Sequence, residues 1–234
     1  MITLGIDTTA VSASVALVKD GKILSEFYTN IGLQHSRTLM PMIQSLLSCC
    51  DMSADQIDRF GITAGPGSFT GVRIGVAAVK GMALSADVSC VPLSTLEVIA
   101  HNLPQTDAVI CPVMDARCNQ VYNALFSWQD GVLTRMCNDR AIEIYALENE
   151  LIAYNKPIIW VGDGANLCYA TCCRLQNHQL APEHLRFQHA GPAALLAEKS
   201  EHVVSADHLA VSYLRPPQAI RAKENQINNI DSKG

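Results

Sequence analysis

The stretch from Ile62 to Ala86 constrains the fold more than any other part of this chain. It reads Ile-Thr-Ala-Gly-Pro-Gly-Ser-Phe-Thr-Gly-Val-Arg-Ile-Gly and runs on as a long apolar helix. A strand ends at Ala64, Gly65-Pro66-Gly67 makes a tight turn, and Ser68 or Thr70 can cap the helix that follows. Free backbone N–H groups at such a turn favour an anion, often a phosphate. From Gly71 to Ala86 the only charges are Arg73 and Lys80, seven residues apart and so on one face. Gly71, Gly75 and Gly81 each cost the helix about 1 kcal/mol relative to Ala. Glycine kept at that cost predicts a neighbouring backbone in close approach. A helix apolar nearly all round needs burial on more than one side. One side can be its own sheet; the other calls for a second helix or a second protein.

The rest of the chain sets the frame. Its 234 residues fit one large or two small domains, and 49% hydrophobic residues supply a sizeable core. No apolar run is long enough to span a membrane uninterrupted. The start, Met1-Ile-Thr-Leu-Gly-Ile-Asp7, lacks a basic region and an apolar signal core, so the chain is expected not to be secreted. Nine irregularly spaced cysteines, with adjacent pairs at Cys49-Cys50 and Cys172-Cys173 and no Cys-x-x-Cys, read as cytoplasmic thiols. The net charge is −5, and basic residues gather only at Arg215, Arg221 and Lys223. Because nucleic-acid affinity rests largely on phosphate neutralisation, the chain alone is expected to bind RNA weakly.

One order of elements occurs twice. Ile2–Ile6, Ser12–Val18 and Lys22–Thr29 read as strands, with Asp20-Gly21 as a hairpin turn. A helix over 36–50, a short capped turn at Ser53–Gln56, a strand at Arg59–Ala64 and the helix Gly71–Ala86 follow. A strand at Val88–Val91 and a helix at Ser94–Asn102 close the first half. In the second half, strands at Asp107–Met114, Gln120–Trp128 and Val132–Met136 surround a second hairpin signal, Asp130-Gly131. A helix near Tyr145–Tyr154, a strand at Pro157–Val161, the turn Gly162-Asp163-Gly164 and a helix over 166–175 complete the repeat. Residues 176–187 read as loop, and Gly191-Pro192 precedes a helix to about Glu201. The pattern β-β-β-α-β-α, found twice, predicts a duplicated two-lobed α/β fold with a cleft between the lobes. The expected division is 1–102, a reduced second lobe at 103–215, and a polar tail at 216–234.

Candidate sites follow from turn chemistry. Asp7 ends the first strand and is followed by Thr8 and Thr9. An Asp there can hold a cation through water while hydroxyl and N–H groups take phosphate oxygens. The plain alternative is an Asp/Thr turn with local hydrogen bonds. With Asp7, Thr8 and Thr9, the groups Gly65, Gly67 and Ser68 form the candidate phosphate site, although the turn lacks the Gly-Lys-Ser/Thr of a Walker loop. None of the seven histidines pairs at i, i+4, so no metal centre is expected. His178, His184 and His189 read as loop histidines, for which a solvated loop is the plain reading and adventitious metal binding the other. No Gly-x-Ser-x-Gly elbow is present. Asp115 and Arg117 read as a turn-stabilising pair.

Taken together, Ile6-Asp7-Thr8-Thr9, the run Ala64-Gly65-Pro66-Gly67-Ser68-Phe69-Thr70-Gly71-Val72-Arg73-Ile74-Gly75, Met114-Asp115-Ala116-Arg117 with Val121-Tyr122, and Tyr213-Leu214-Arg215-Pro216 resemble the TsaB (YeaZ) family. The resemblance covers nearly the whole chain. It implies the actin/Hsp70/sugar-kinase (ASKHA) fold and a role in forming N6-threonylcarbamoyladenosine in tRNA. In that pathway the larger paralogue, TsaD, transfers the threonylcarbamoyl group, and a small ATPase, TsaE, joins the assembly. The resemblance implies a cytoplasmic, non-catalytic scaffold that pairs with TsaD, forms a homodimer when alone, and makes little direct contact with tRNA. TsaD carries a His-x-x-x-His metal motif where this chain has Thr95 and Ile99. Ile99 has no lone pair to give, so the Lewis acid for transfer is missing at that place.

The same resemblance implies pairing through the helices of the first lobe. Leu39, Met40, Ile43, Leu46 and Leu47 on one helix, and Val72, Gly75, Val76 and Val79 on the other, are the expected partner surface. An interface of about 1,600 Å² is typical of specific pairing. The competing reading is that these residues face the chain's own sheet. The chain is expected to need no cofactor, with ATP or ADP and Mg left open at the contact with TsaD. A phosphotransferase or ATPase of the same fold, using Asp7, is the alternative function. A peptidase acting on the partner is the third.

Overall fold

The computed structural model describes residues 1–32 and 34–214. Arg215-Pro216, the basic residues Arg221 and Lys223, and the expected tail lie outside the described residues. Both Asp-Gly pairs turn hairpins. Asp20 and Gly21 have φ of 50° and 78°, Asp130 and Gly131 of 49° and 78°. Two-residue hairpin turns need that left-handed backbone at both central positions.

The first sheet contains β1 (Ile2–Asp7), β2 (Ala13–Lys19), β3 (Lys22–Thr29), β4 (Arg59–Gly65) and β5 (Ser89–Ser94) in the order β3-β2-β1-β4-β5. β1 is antiparallel to β2 and parallel to β4, and β4 is parallel to β5. Alternation divides its two faces. Leu4, Ile6, Val15, Leu17, Phe60 and Ile62 form a core with α1 (His35–Cys49) and α2 (Phe69–Ala86). On the other face Gly5 and Gly61 lie under α7 (Ala190–Lys199). A Cβ on Gly5 would come within 2.5 Å of the Ala190 carbonyl oxygen, and one on Gly61 within 2.5 Å of the Ala197 methyl. Ala190, Ala193, Ala194 and Ala197 recur at helical spacing and are buried there. Arg59 closes the far end of α7 by donating to the carbonyls of Ala197, Glu198 and Ser200 at 2.8, 3.3 and 2.9 Å.

The second sheet repeats this path as β10-β7-β6-β11-β12. Its strands are β6 (Val109–Asp115), β7 (Gln120–Asn123), β10 (Arg140–Glu143), β11 (Ile158–Val161) and β12 (His178–Leu180). β6 stands where β1 does, antiparallel to β7 and parallel to β11. The expected strand Gln120–Trp128 is broken, because buried Asn123 donates to the carbonyls of Pro112 and Ala124 at 3.2 and 2.8 Å. Its second part, β8 (Phe126–Gln129), pairs with β9 (Val132–Arg135) as a separate hairpin. The repeat's third strand is therefore β10, and Asp130-Gly131 is not the counterpart of Asp20-Gly21. The predicted loop 176–187 contains β12 and α6 (Glu183–Arg186). Buried Trp160 holds β12 by donating to His178 at 3.0 Å.

The last helix of each half packs across the boundary. α3 (Thr95–Ala100) lies against β6, while α7 lies on the first sheet, and Val204 bridges to Cys90 of β5. The stretch from Ala190 to Leu209, expected in the second lobe, thus completes the first. α4 (Ile144–Ala153) and α5 (Ala165–Thr171) cover the second sheet with Trp160, Cys111 and Leu147 between. α2 is the one helix, among the described residues, long and apolar enough to cross a membrane by length and composition; its buried stripe belongs to the first core.

That packing corrects the expected partner surface. Leu39, Ile43, Leu46, Leu47, Val72, Gly75, Val76 and Val79 are buried in the chain's own core; of the set only Met40, 41% exposed, faces outward. The physical reason is that α1 and α2 share one face of the sheet, so their strongest apolar stripes turn toward β1, β2 and β4. The prediction of close approach holds for two of the three glycines of α2. A Cβ on Gly71 would run into the Thr8 carbonyl oxygen, and one on Gly75 would meet the Thr8 hydroxyl at 2.5 Å. Gly81 has open space. Substitutions in this one helix are therefore expected to have opposite signs in urea unfolding. Gly71→Ala costs about 1–3 kcal/mol by overpacking against backbone, while Gly81→Ala gains about 0.5–1 kcal/mol in helix propensity.

Candidate functional site

The carboxyl ends of the two central strands meet at a cleft. Asp7 ends β1 and Asp115 ends β6. The turns Gly65-Pro66-Gly67 and Gly162-Asp163-Gly164 follow β4 and β11 and face the same space. The cleft has a volume of about 620 Å³ and is lined by Thr9, Ser12, Asn30, Asp115, Tyr122 and Asp163 among others. Ala-Arg-Cys-Asn at 116–119 turns at its mouth, with Arg117, Cys118 and Asn119 all at positive φ. Arg117 donates its backbone N–H to Asp115 at 2.7 Å and places its guanidinium 3.4 Å from the same carboxylate, so the two do form a turn pair.

The groups predicted to hold phosphate are brought together, but on one another. The Asp7 Oδ1 accepts from the Thr9 N–H and hydroxyl at 2.9 and 2.8 Å. The Thr8 hydroxyl donates to the Gly71 carbonyl at 2.8 Å. The Ser68 N–H donates to the Thr9 carbonyl at 2.6 Å, and its hydroxyl caps α2 by accepting from Gly71 N–H at 3.3 Å. A Cβ on Gly67 would meet the Thr9 carbonyl oxygen at 2.5 Å, and one on Gly65 would run into the Ser212 carbonyl. The Thr8–Thr9 loop packs against the head of α2, and Thr9, Pro66, Gly67 and Ser68 line the cleft beside it. The local-turn reading of these residues is the one this geometry supports.

Two carboxyls keep unusual acidity. Asp7 is fully buried, and its Oδ2 makes no hydrogen bond among the described residues. Burial pushes its pKa up to about 6, against the pull of the Thr9 hydrogen bonds. Burial, aided by the charges of Asp115 and Asp7, also pushes Asp163 up to about 6, although Gln188 donates to it at 3.4 Å. Buried Gln188 in turn accepts from Ser12 at 3.4 Å. Asp163, Gln188, Ser12 and Asn30 were not among the predicted site residues. Gly162-Asp163-Gly164 follows the strand equivalent to β4, and that correspondence was the signal available for Asp163; Gln188 comes from a distant segment with no local mark. At the rim, Arg73 stacks 3.6 Å over Phe69 and donates to the Tyr213 hydroxyl at 2.6 Å, while Ser212 N–H donates to Ala64. The Tyr213-Leu214 motif thus straps the chain's later segment to the head of α2. Among the described residues no group of three or more His, Cys, Asp or Glu side chains is placed to hold a metal ion.

Two sheets of one topology facing a shared cleft, with an Asp closing each central strand, define the two-lobed α/β fold of the actin-like ATPase (ASKHA) class. The chain belongs to the TsaB (YeaZ) family of tRNA threonylcarbamoyladenosine biosynthesis proteins. Residues 23–227 match the family model described as TsaD, tRNA N6-adenosine threonylcarbamoyltransferase. TsaB of Bacillus subtilis is 34% identical over 167 residues, 71% of this chain and 73% of that protein. TsaB of Escherichia coli is 35% identical over 124 residues, 52% of this chain and 53% of that protein. The solved structure of YeaZ from Pseudomonas aeruginosa superposes with a TM-score of 0.78 at 24% identity, covering 91% of this chain and 99% of that one. A transferase of Thermosipho africanus is similar over a shorter stretch, 31% identical across 36% of this chain and 30% of its own.

The raised pKa of Asp7 has a pH consequence. Folded Asp7 holds its proton to about pH 6, whereas an unfolded Asp releases it near pH 4. The folded state binds more protons in that window, so stability falls as pH rises from about 4 to 6 and the penalty is constant above it. Between pH 4 and pH 7 the stability of Asp7→Asn is expected to shift by up to about 3 kcal/mol in the variant's favour relative to the natural chain, read by chemical denaturation at both values.

Proposed function

We propose that this chain is a non-catalytic partner subunit that holds a TsaD-type transferase in an active assembly for N6-threonylcarbamoyladenosine formation in tRNA. It acts in the cytoplasm, pairs with a second copy when alone, and is joined in the assembly by a TsaE-type ATPase. The observation that carries the reading is the self-bonded turn at the head of α2. The hydroxyls of Thr8, Thr9 and Ser68 are engaged with Asp7 and Gly71, which supports a structural role for this turn. The chain itself requires no cofactor on this reading, and ATP or ADP with Mg belongs, if anywhere, to the contact with the transferase. The relatives' names support the assignment, since the TsaB proteins are called biosynthesis proteins and the TsaD proteins transferases.

The partner face is the outward side of α2 rather than the stripe that packs on the sheet. Ile74, Ala77, Ala78, Gly81 and Leu84 lie half-buried or exposed along it, Leu84 with 59% of its surface open, and Met40 of α1 stands exposed on the neighbouring helix. Small residues at 77, 78 and 81 let another helix approach closely. Gly81→Arg is expected to raise helix propensity, leave the thermal midpoint at or above that of the natural chain, and still weaken association at least tenfold (about 1.4 kcal/mol), because it drives a charge into the contact. Light scattering after size exclusion, with and without the transferase, measures pairing. Threonylcarbamoyl transfer to tRNA by the reconstituted set measures function. Full transfer by the transferase without this chain, or unchanged pairing of Gly81→Arg, rejects the proposal.

A second reading rests on Asp7, whose Oδ2 is buried without a hydrogen bond. An ATPase or phosphotransferase using it would show Mg-dependent nucleotide turnover by the isolated chain, lost in Asp7→Asn. The peptidase reading is the weakest, because among the described residues no group of three or more His, Cys, Asp or Glu side chains is placed to hold a hydrolytic metal ion.

A further inference from the structure

The two lobes are joined by more than their connecting chain. α3 is a wedge: Leu96, Ile99 and Ala100 are fully buried and pack in one cluster with Ile110, Phe126 and Val161 of the second lobe. Polar pins fence the wedge at both ends. At its start, Ser94 caps α3 and donates its hydroxyl to Asp139, next to β10. Arg135 of β9 lies between Asp139 and Glu97 of α3, forming ion pairs with both, and its guanidinium sits 4.7 Å over the Phe126 ring. Beyond its end, Asn102 donates to the carbonyls of Leu185 and Phe187 at 3.0 and 2.7 Å, tying the two inter-lobe crossings together. On the cleft side, buried Gln188 links Ser12 of the first lobe to Asp163 of the second.

We propose that Arg135, clamped between Glu97 and Asp139 beside the α3 wedge, locks the two lobes into one rigid body, so that the cleft keeps a single aperture and does not close on a ligand. Rotation about the crossings would pull Glu97 from Arg135 and open an apolar seam to water. Both are unfavourable: the first costs Glu97 its ion pair while Arg135 keeps Asp139, and the second exposes the cluster around Ile99. The arrangement goes beyond the scaffold reading and does not depend on it, because it concerns only how this chain's own lobes are held.

The test is hydrogen–deuterium exchange of the full chain, together with small-angle X-ray scattering. In the natural protein the α3 amides are expected to exchange no faster than those of β1 and β6. Arg135→Met should raise α3 exchange at least tenfold, leave β1 and β6 protected, and widen the scattering distance distribution; Arg135→Lys, which keeps the charge, should restore part of the protection. Should Arg135→Met fail to fold, the Glu97→Gln/Asp139→Asn double variant removes the same ion pairs at nearly constant shape and should loosen α3 in the same way. Three results overturn the lock: α3 of the natural chain exchanging tenfold faster than β1 and β6, α3 protection unchanged in a folded variant without the ion pairs, or loosened α3 amides with an unaltered scattering profile.

Discussion

The first lobe depends on the Thr8–Thr9 loop lying against the backbone of α2. Gly71 and Gly75 have no Cβ where Thr8 sits, and Gly67 has none where the Thr9 carbonyl sits. That contact sets how deeply α2 settles onto the sheet, and hence which of its residues meet β1 and β4. It also decides the chemistry of the turn. The Thr9 carbonyl takes the Ser68 N–H, and the Ser68 hydroxyl takes the Gly71 N–H, so part of the helix head is capped by the turn itself. The turn that reads as an anion cradle also serves as a packing device.

The same device recurs on the opposite face. Gly5 and Gly61 admit α7, and the alanine stripe of α7 fills the space without strain on either backbone. Because α7 arrives from the second half of the chain, and α3 from the first half packs on β6, each lobe is completed by the other's last helix. Lobe-to-lobe contact is thus part of each core. Asp7 and Gln188 are fully buried and Asp163 lines the cleft, and the cost of burying the two carboxyls appears as raised pKa values.

Much of the fold was legible because its signals are local. Apolar runs of strand length marked β1, β2 and β4, the Asp-Gly pairs marked two hairpins, and the glycines of α2 announced a close neighbour. Legibility failed where a strand's fate hung on a distant partner. Gln120–Trp128 has unbroken strand character, yet Asn123 turns inward to bond Pro112 and Ala124, and the chain splits into β7 and β8. His178 sits in a polar stretch, yet the indole of Trp160 recruits it into an edge strand. Of the site, Asp7 with its threonines and Asp115 with Arg117 were visible as turn residues, whereas Gln188 and Ser12 meet only after two remote segments are folded together.

The amino-acid sequence by itself determined the elements of the first half, the existence of a duplicated α/β plan, the glycine turn before α2 and the apolar stripes on α1 and α2, but not β10, β12 or α6. Tertiary structure alone decided which way those stripes face, what packs against the turn, and which lobe each closing helix serves. The reason is one of range. Periodicity and turn chemistry act over a few residues and survive in the linear pattern, while the choice of surface that covers a stripe, or of carbonyl that meets an N–H, rests on groups such as Thr9 and Ser68 or Gly5 and Ala194 that only the folded chain brings into contact.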